Sequence, residues 1–323
     1  MRQETIKIEP NGATLSIFLH DDNEVRNVAL IFPGGAYRYC APGEGKPVAE
    51  AFYHEGYNSF VLEYSCTGGM FGSPQKDESV VFEEAIKDAI SAFQYLQYNK
   101  DKYNIDENSI CIVGFSAGAN LAFFSTITGK ITPLALILGY GLYRQDTIHT
   151  LGIKTNHQTI ELSNHMPPVF LFACQADGTV PVEESIELAR LYAEKDLPFE
   201  MHIYVTGDHG LSLGTKESGI VNQDYATWFK HAIHFIKHLK SDIPLVLGDI
   251  TNDLENISVN SRIGALMYHE EAWKMIEELL PEVANKAKED MHMRSYPLIR
   301  FYQWGMIKEP SLDKINEMLK RFQ

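Results

Sequence analysis

Positive charge is scarce in this sequence: 28 Lys and Arg residues stand against 43 Asp and Glu among 323, a formal net charge of −15 at pH 7. An electrostatic footprint for nucleic acid or an anionic membrane surface needs the opposite balance, and no polybasic segment supplies it locally. Neither is expected as a partner, whereas a neutral small-molecule substrate fits. Long apolar runs are missing too. None approaches the roughly 18 residues of a membrane span, and Met1 to Lys7 holds no apolar signal-peptide core, so the cytoplasm is the expected location. Cysteine is sparse: Cys40, Cys66, Cys111 and Cys174 show no metal or redox spacing and are read as free thiols. His231, His234 and His238 fall at helical spacing, but no Cys, Asp or Glu cluster completes a site beside them, and His149, His157 and His165 are spread over a polar loop. Neither a metal nor a cofactor is expected, and no internal repeat or low-complexity tract is evident.

What the chain does have is apolar material, 45% of its residues, enough for a large buried core. The most informative junction is Ser109-Ile110-Cys111-Ile112-Val113, a strand-like apolar run that leads directly into Gly114-Phe115-Ser116-Ala117-Gly118. A G-x-S-x-G pentapeptide between a strand and a helix presents its serine on a strained turn, where side chains two residues to either side would collide with the backbone. The apolar stretch Ala119 to Phe124 supplies the helix that should follow.

A serine hydroxyl needs an imidazole base, and the imidazole needs a carboxylate that fixes its tautomer. Both are available downstream. Val169 to Cys174 is a strand-length apolar run followed by the polar turn Gln175-Ala176-Asp177-Gly178, which makes Asp177 the candidate acid. A helix then runs to about Lys195, and Phe199 to Tyr204 alternates like a strand before Gly207-Asp208-His209-Gly210. His209, in a glycine-flanked loop after that last strand, is the candidate base. The oxyanion of an acyl-transfer intermediate needs pre-positioned N–H donors. Ala117, directly after the serine, offers one. Val28 to Phe32 runs as a strand into Pro33-Gly34-Gly35-Ala36-Tyr37, where Gly35 and Ala36 are the second candidates and Gly34 and Tyr37 are assigned to the substrate pocket.

Along the rest of the chain, a hairpin over Thr5 to Glu9 and Ala13 to Leu19 turns at Pro10-Asn11-Gly12. Helices and strands then alternate: a helix over Glu44 to Glu55, a strand over Tyr57 to Tyr64, and a long helix over Glu78 to Gln97 with Val81, Ala85, Ala89 and Phe93 near one face. This order predicts an α/β class, a mostly parallel sheet with helices on both faces. Two loops, Ser65 to Gln75 and Leu142 to Pro167, are candidates for shaping specificity. After Lys240, Ser241-Asp242-Ile243-Pro244 reads as a boundary and Gly248 to Asn256 as a polar linker. Short helices follow near Ser261 to Met267, His269 to Leu280 (stopped by Pro281), Tyr296 to Trp304, and Leu312 to Phe322. The expected division is a catalytic domain over 1–240 and a small C-terminal helical module over 241–323.

Taken together, Pro33-Gly34-Gly35-Ala36-Tyr37, the Ser116 pentapeptide, Asp177 before Val180-Pro181-Val182-Glu183, and His209-Gly210-Leu211-Ser212-Leu213 resemble the α/β-hydrolase superfamily. More narrowly they are similar to its sugar-esterase, or acetyl-xylan-esterase-like, branch over about residues 25 to 240. That resemblance implies a serine carboxylesterase that cleaves small acyl esters, acetyl foremost, of sugars or similar alcohols such as an acylated oligosaccharide. Ser116, Asp177 and His209 would form its triad. The chain departs from many relatives with Pro33 in place of His, Ala36 in place of a third Gly, and Ala119 in place of another Gly. If position 36 requires a positive φ, its Ala costs about 1 kcal/mol. A serine peptidase or amidase, a non-catalytic binding module on the same fold, and a homo-oligomer stay open at this point.

Overall fold

In the computed structural model, which describes residues 1–68, 76–144, 162–240 and 251–322, one eight-stranded sheet carries the N-terminal part of the chain. Its strands are β1 (Arg2–Ile8), β2 (Ala13–Leu19), β3 (Arg26–Phe32), β4 (Asn58–Glu63), β5 (Ile105–Phe115), β6 (Ala135–Gly139), β7 (Val169–Cys174) and β8 (Phe199–Tyr204). They lie in the order β1-β2-β4-β3-β5-β6-β7-β8. The β1–β2 and β2–β4 pairs are antiparallel, and every pair from β4 onward across the sheet to β8 is parallel. A parallel strand needs a long crossover, and helices supply it: α1 (Lys46–His54), α2 (Glu78–Tyr98), α3 (Lys100–Tyr103), α4 (Ala117–Ile127) and α5 (Glu183–Glu194), with α6 (Thr227–Leu239) following the last strand.

The burial of the strands follows from that arrangement. With helices over both faces, β6 and β7 are buried at every residue, which is why their sequences read as continuous apolar runs instead of alternating ones. β8 lies at the sheet's edge and shows the partial exposure of an edge, with none of its residues fully buried. On α2 the anticipated stripe of Val81, Ala85, Ala89 and Phe93 is wholly buried. At the back of the site, Trp228 of α6 stacks on Phe172 of β7 with centroids 4.1 Å apart and planes 7° from parallel. Such a pair contributes about 0.5–1.5 kcal/mol beyond its buried area.

The chain separates into two compact units, Met1–Phe235 and Ile236–Gln323. The second has its own apolar core, in which Ile276, Leu280, Ile315 and Leu319 are buried and Trp273, Leu312 and Phe322 pack beside them. Its helices are α7 (Thr251–Glu255), α8 (Ile263–Tyr268), α9 (Glu270–Leu279), α10 (Pro281–Glu289), α11 (Leu298–Gln303) and α12 (Leu312–Leu319). One expectation needs correction there: residues 251–255, read as linker, are helical. α9 does end ahead of Pro281, as expected, but Pro281 is also the first residue of the unanticipated α10, a position where its missing N–H costs nothing. Residues 69–75 and 145–161, at the heart of the two candidate specificity loops, and residues 241–250, the expected boundary, lie outside the described residues.

Candidate active site

Ser116 stands between β5 and α4 with φ 50° and ψ −118°, a strained backbone for a residue with a side chain. Its N–H is held by the Gly139 carbonyl at 2.9 Å, so the turn is tied to β6. Close approach of backbone explains the flanking glycines. A Cβ on Gly118 would sit 2.0 Å from the Phe32 carbonyl oxygen, and one on Gly114 would sit 2.5 Å from the Gly118 carbonyl oxygen.

The other two candidates converge on that serine from later strand ends. His209, in the loop after β8, places Nε2 at 2.9 Å from Ser116 Oγ and Nδ1 at 2.8 Å from Asp177 Oδ2. Asp177 follows β7, its side chain is 1% exposed, and its Oδ1 accepts the N–H groups of Thr179 and Val180, both at 2.8 Å. With both of those donors on Oδ1, Oδ2 faces the imidazole and accepts a hydrogen bond from its Nδ1–H. Nε2 is then left with a lone pair towards the Ser116 hydroxyl, the protonation a general base requires.

The turn after β3 lies on the other side of the serine. Ala36 has φ 52° and is exposed, so the left-handed conformation that penalises alanine is realised here. Gly35 has φ 121° and its carbonyl closes the turn by accepting from Arg38 N–H at 2.9 Å. Ala117 is the first residue of α4, where backbone N–H groups have no partner within the helix. Gly34 and Tyr37 are placed differently from the pocket role expected of them. The Gly34 N–H points to Glu44 Oε2 at 2.6 Å. Tyr37 is 3% exposed, its ring packs on Tyr64 and Phe82, and its hydroxyl donates to Asn120 Oδ1 at 2.7 Å. Both therefore brace the turn from inside.

Three further residues support this arrangement, and two of them, Glu44 and Asp208, carry no functional signal in the sequence, whereas Tyr140 stands near a strand end where an aromatic could stack on a sugar ring. Glu44, at the end of a 3₁₀ turn over Pro42–Glu44, is 5% exposed and takes the Gly34 N–H on one oxygen and the Tyr140 hydroxyl, at 2.6 Å, on the other. Burial raises its carboxyl above the ordinary range, and the two hydrogen bonds counter part of that rise. Tyr140, just past β6, also accepts the Ser212 N–H at 3.1 Å and sets its ring edge-on to His209, with centroids 4.9 Å apart. The exposed Asp208 joins the acid and base loops: its Oδ1 accepts the Gly178 N–H at 2.9 Å and the His209 N–H at 2.7 Å, and these two bonds hold its carboxyl below its ordinary value. Cys40 and Cys66 are free, with sulfurs 3.9 Å apart. Among the described residues, the group with metal-donor spacing is Glu200, His202 and His231, none of which takes part in these contacts.

A mostly parallel sheet flanked by helices, with serine, carboxylate and histidine delivered in that order after β5, β7 and β8, defines the α/β-hydrolase class. A family model described as BD-FAE matches residues 15–136. The crystal structure of MGS-M1, an alpha/beta hydrolase enzyme from a Medee basin deep-sea metagenome library, is 30% identical with a TM-score of 0.65, covering 74% of this chain and 98% of that one. Endo-1,4-beta-xylanase B of Butyrivibrio fibrisolvens is 30% identical over 232 residues, 63% of this chain and 35% of that protein. Acetylxylan esterase of Xylanibacter ruminicola is 24% identical over 251 residues, 70% of this chain and 50% of that protein. The chain thus spans between a third and a half of the length of the curated relatives it matches. It belongs to the α/β-hydrolase superfamily, with similarity to the acetyl-xylan-esterase-like branch. No helix among the described residues is long and apolar enough to cross a membrane.

Proposed function

We propose that this chain is a serine carboxylesterase that removes small acyl groups, acetyl foremost, from sugars or similar alcohols through an acyl-enzyme intermediate. The observation that carries the reading is the continuous line from Ser116 Oγ through His209 to Asp177, with contacts of 2.9 and 2.8 Å. Ser116 Oγ attacks the ester carbonyl while its proton passes to His209 Nε2. Asp177 stabilises the imidazolium so formed. The oxyanion is received by the Ala117 N–H together with that of Gly35 or Ala36, and His209 then hands its proton to the departing alkoxide. Water, activated by the same imidazole, releases the acid and restores the serine. The chemistry is assigned to residues 1–240, and the 241–323 module takes no step in it.

The names of the two curated relatives support a xylan-derived or similar acylated oligosaccharide as substrate. The test is turnover of p-nitrophenyl acetate and of acetylated xylo-oligosaccharides, with Ser116→Ala expected to lower kcat by more than about 10³-fold. Full activity in that variant, or failure of a fluorophosphonate probe to label Ser116, would rule the mechanism out. Cleavage of a peptide panel in preference to the esters would reassign the substrate class.

A further inference from the structure

We propose that Glu200, His202 and His231 form a binding site for a divalent transition metal of the zinc type, which clips the edge strand β8 to helix α6. One ligand atom from each residue lies within 4.8 Å of the others. The placement has a simple origin. Glu200 and His202 are two apart on a strand, so their side chains share a face, and α6 brings His231 over that face. The three come from two elements joined by the loop that carries His209, which is why helical spacing of His231, His234 and His238 did not reveal the grouping.

The donor set selects the ion. Two imidazoles and one carboxylate suit zinc, whereas magnesium and calcium take oxygen ligands. The His202 Nε2–H already points at Glu200 Oε1 across 2.7 Å. A bound ion replaces that hydrogen bond once the two atoms open to the roughly 3.3 Å that bonds of about 2 Å to a tetrahedral ion need, and the ring proton moves to Nδ1, so the imidazole stays neutral. The His202 and His231 rings stack with centroids 4.5 Å apart and planes 17° from parallel. Stacked rings aim their in-plane nitrogens side by side, so one ring turns to bring both onto a single tetrahedral ion. The three protein ligands leave one tetrahedral position for water.

Such a clip has a clear physical effect. Among the described residues β8 is paired with β7 alone, and the loop that follows it must present His209 to Ser116. An ion bound to the folded chain and not to the unfolded one stabilises by mass action, and here it does so at the base of that loop. The site stands independently of which ester the chain hydrolyses.

The experiment is zinc binding to the full chain after removal of metals with EDTA, followed by equilibrium dialysis and by thermal denaturation. The wild type is expected to bind one zinc ion at this site and to gain about 5 °C in its unfolding midpoint at a free zinc concentration near one hundred times Kd. His231→Ala, a change on an exposed helix position, should match the wild type in EDTA, lose that gain, and weaken zinc binding roughly tenfold or more. Glu200→Gln should weaken it as well, and His238→Ala should not. Zinc bound as tightly by His231→Ala as by the wild type, or no zinc-dependent rise in the wild-type midpoint, would overturn the proposal.

Discussion

Replacing Tyr140 with Phe removes a single oxygen from the interior beside the site and leaves the ring that edges His209 in place. That oxygen donates to Glu44 Oε1 at 2.6 Å and accepts from the Ser212 N–H at 3.1 Å. Tyr140 is 1% exposed, Glu44 5% and Ser212 2%, so solvent does not replace the lost partner. A hydrogen bond to a charged acceptor contributes about 1.5–3 kcal/mol, and a buried N–H left unpaired costs about 1–3 kcal/mol. The two losses share one atom and do not add in full, which puts the expected destabilisation near 3–4 kcal/mol. For a unit of this size the unfolding midpoint should fall by about 6–12 °C. Glu44 then holds the Gly34 N–H without its second partner, so the turn bearing Gly35 and Ala36 loosens. The expected fall in kcat on p-nitrophenyl acetate is about tenfold, short of the 10²–10³ of losing an oxyanion donor outright. A pH signature separates this from a generic packing defect. Burial raises the Glu44 carboxyl from its ordinary 4.5, and the Tyr140 bond opposes that rise, so the variant raises it further. A carboxyl with a raised folded value contributes its stability below its ordinary value and loses it as pH climbs through the folded one. The deficit of Tyr140→Phe should therefore widen from acidic pH towards neutral in thermal denaturation. A midpoint within about 2 °C of wild type at neutral pH would refute the network reasoning.

Three other expectations follow from the same geometry. In Asp177→Asn the amide carbonyl should keep the Thr179 and Val180 N–H groups and turn its NH₂ towards His209 Nδ1, forcing the proton onto Nε2. Loss of the base should cost about 10⁴-fold in kcat, the size seen for the equivalent change in serine proteases, and a fall of less than about tenfold would count against the tautomer argument. Gly118→Ala puts a methyl 2.0 Å from the Phe32 carbonyl oxygen and 2.5 Å from that of Pro33, so backbone must move. An unfolding midpoint lowered by several degrees, with most activity gone, is expected from about 1–3 kcal/mol of overpacking, and an unaltered midpoint would contradict it. Asp208→Ala removes the acceptor shared by Gly178 and His209 and should lower kcat, while Asp208→Asn, which keeps that oxygen, should restore most of it. Because the Asp208 carboxyl is held below its ordinary 3.8, wild type keeps its stability advantage over the Ala variant above that pH and loses it as pH falls through the depressed value.

Residues whose place in the fold is written in their immediate neighbours are legible without coordinates. The strand and turn that carry Ser116 are contiguous, so the apolar run, the two glycines and the following helix announce one another. β7 and β8 were delimited at Val169–Cys174 and Phe199–Tyr204 because a buried run and an alternating run each end at polar turns. Asp177 and His209 then followed from their positions after those strands. Pro281 shows the limit of such local reading. Proline is incompatible with the interior of the helix before it and compatible with the first turn of the helix after it, so a break between α9 and α10 and a final stop look alike in sequence.

The bracing of the site was illegible for a different reason: each contact joins segments remote in the chain. Glu44 sits among Pro, Gly and Lys in a stretch that reads as an ordinary solvated helix start, yet its carboxylate is buried against a tyrosine 96 residues away. Tyr37 and Tyr140 look alike in sequence, aromatic residues just past strand ends. Tyr37 spends its hydroxyl on Asn120, whereas Tyr140 spends its own between Glu44 and Ser212, so that one braces the turn from below and the other links it to the loop of the base. The physical distinction lies in which polar group the sheet order brings within reach. β3, β5 and β6 are neighbours in the sheet, so the turns after them meet at one rim, and a buried carboxylate there is stable only because two donors from different turns saturate it. The same reasoning ties Ala36 to its neighbours. An alanine held at φ 52° persists where the surrounding contacts outweigh its strain, and the Gly34–Glu44 and Tyr37–Asn120 bonds on either side of it are the contacts that do so.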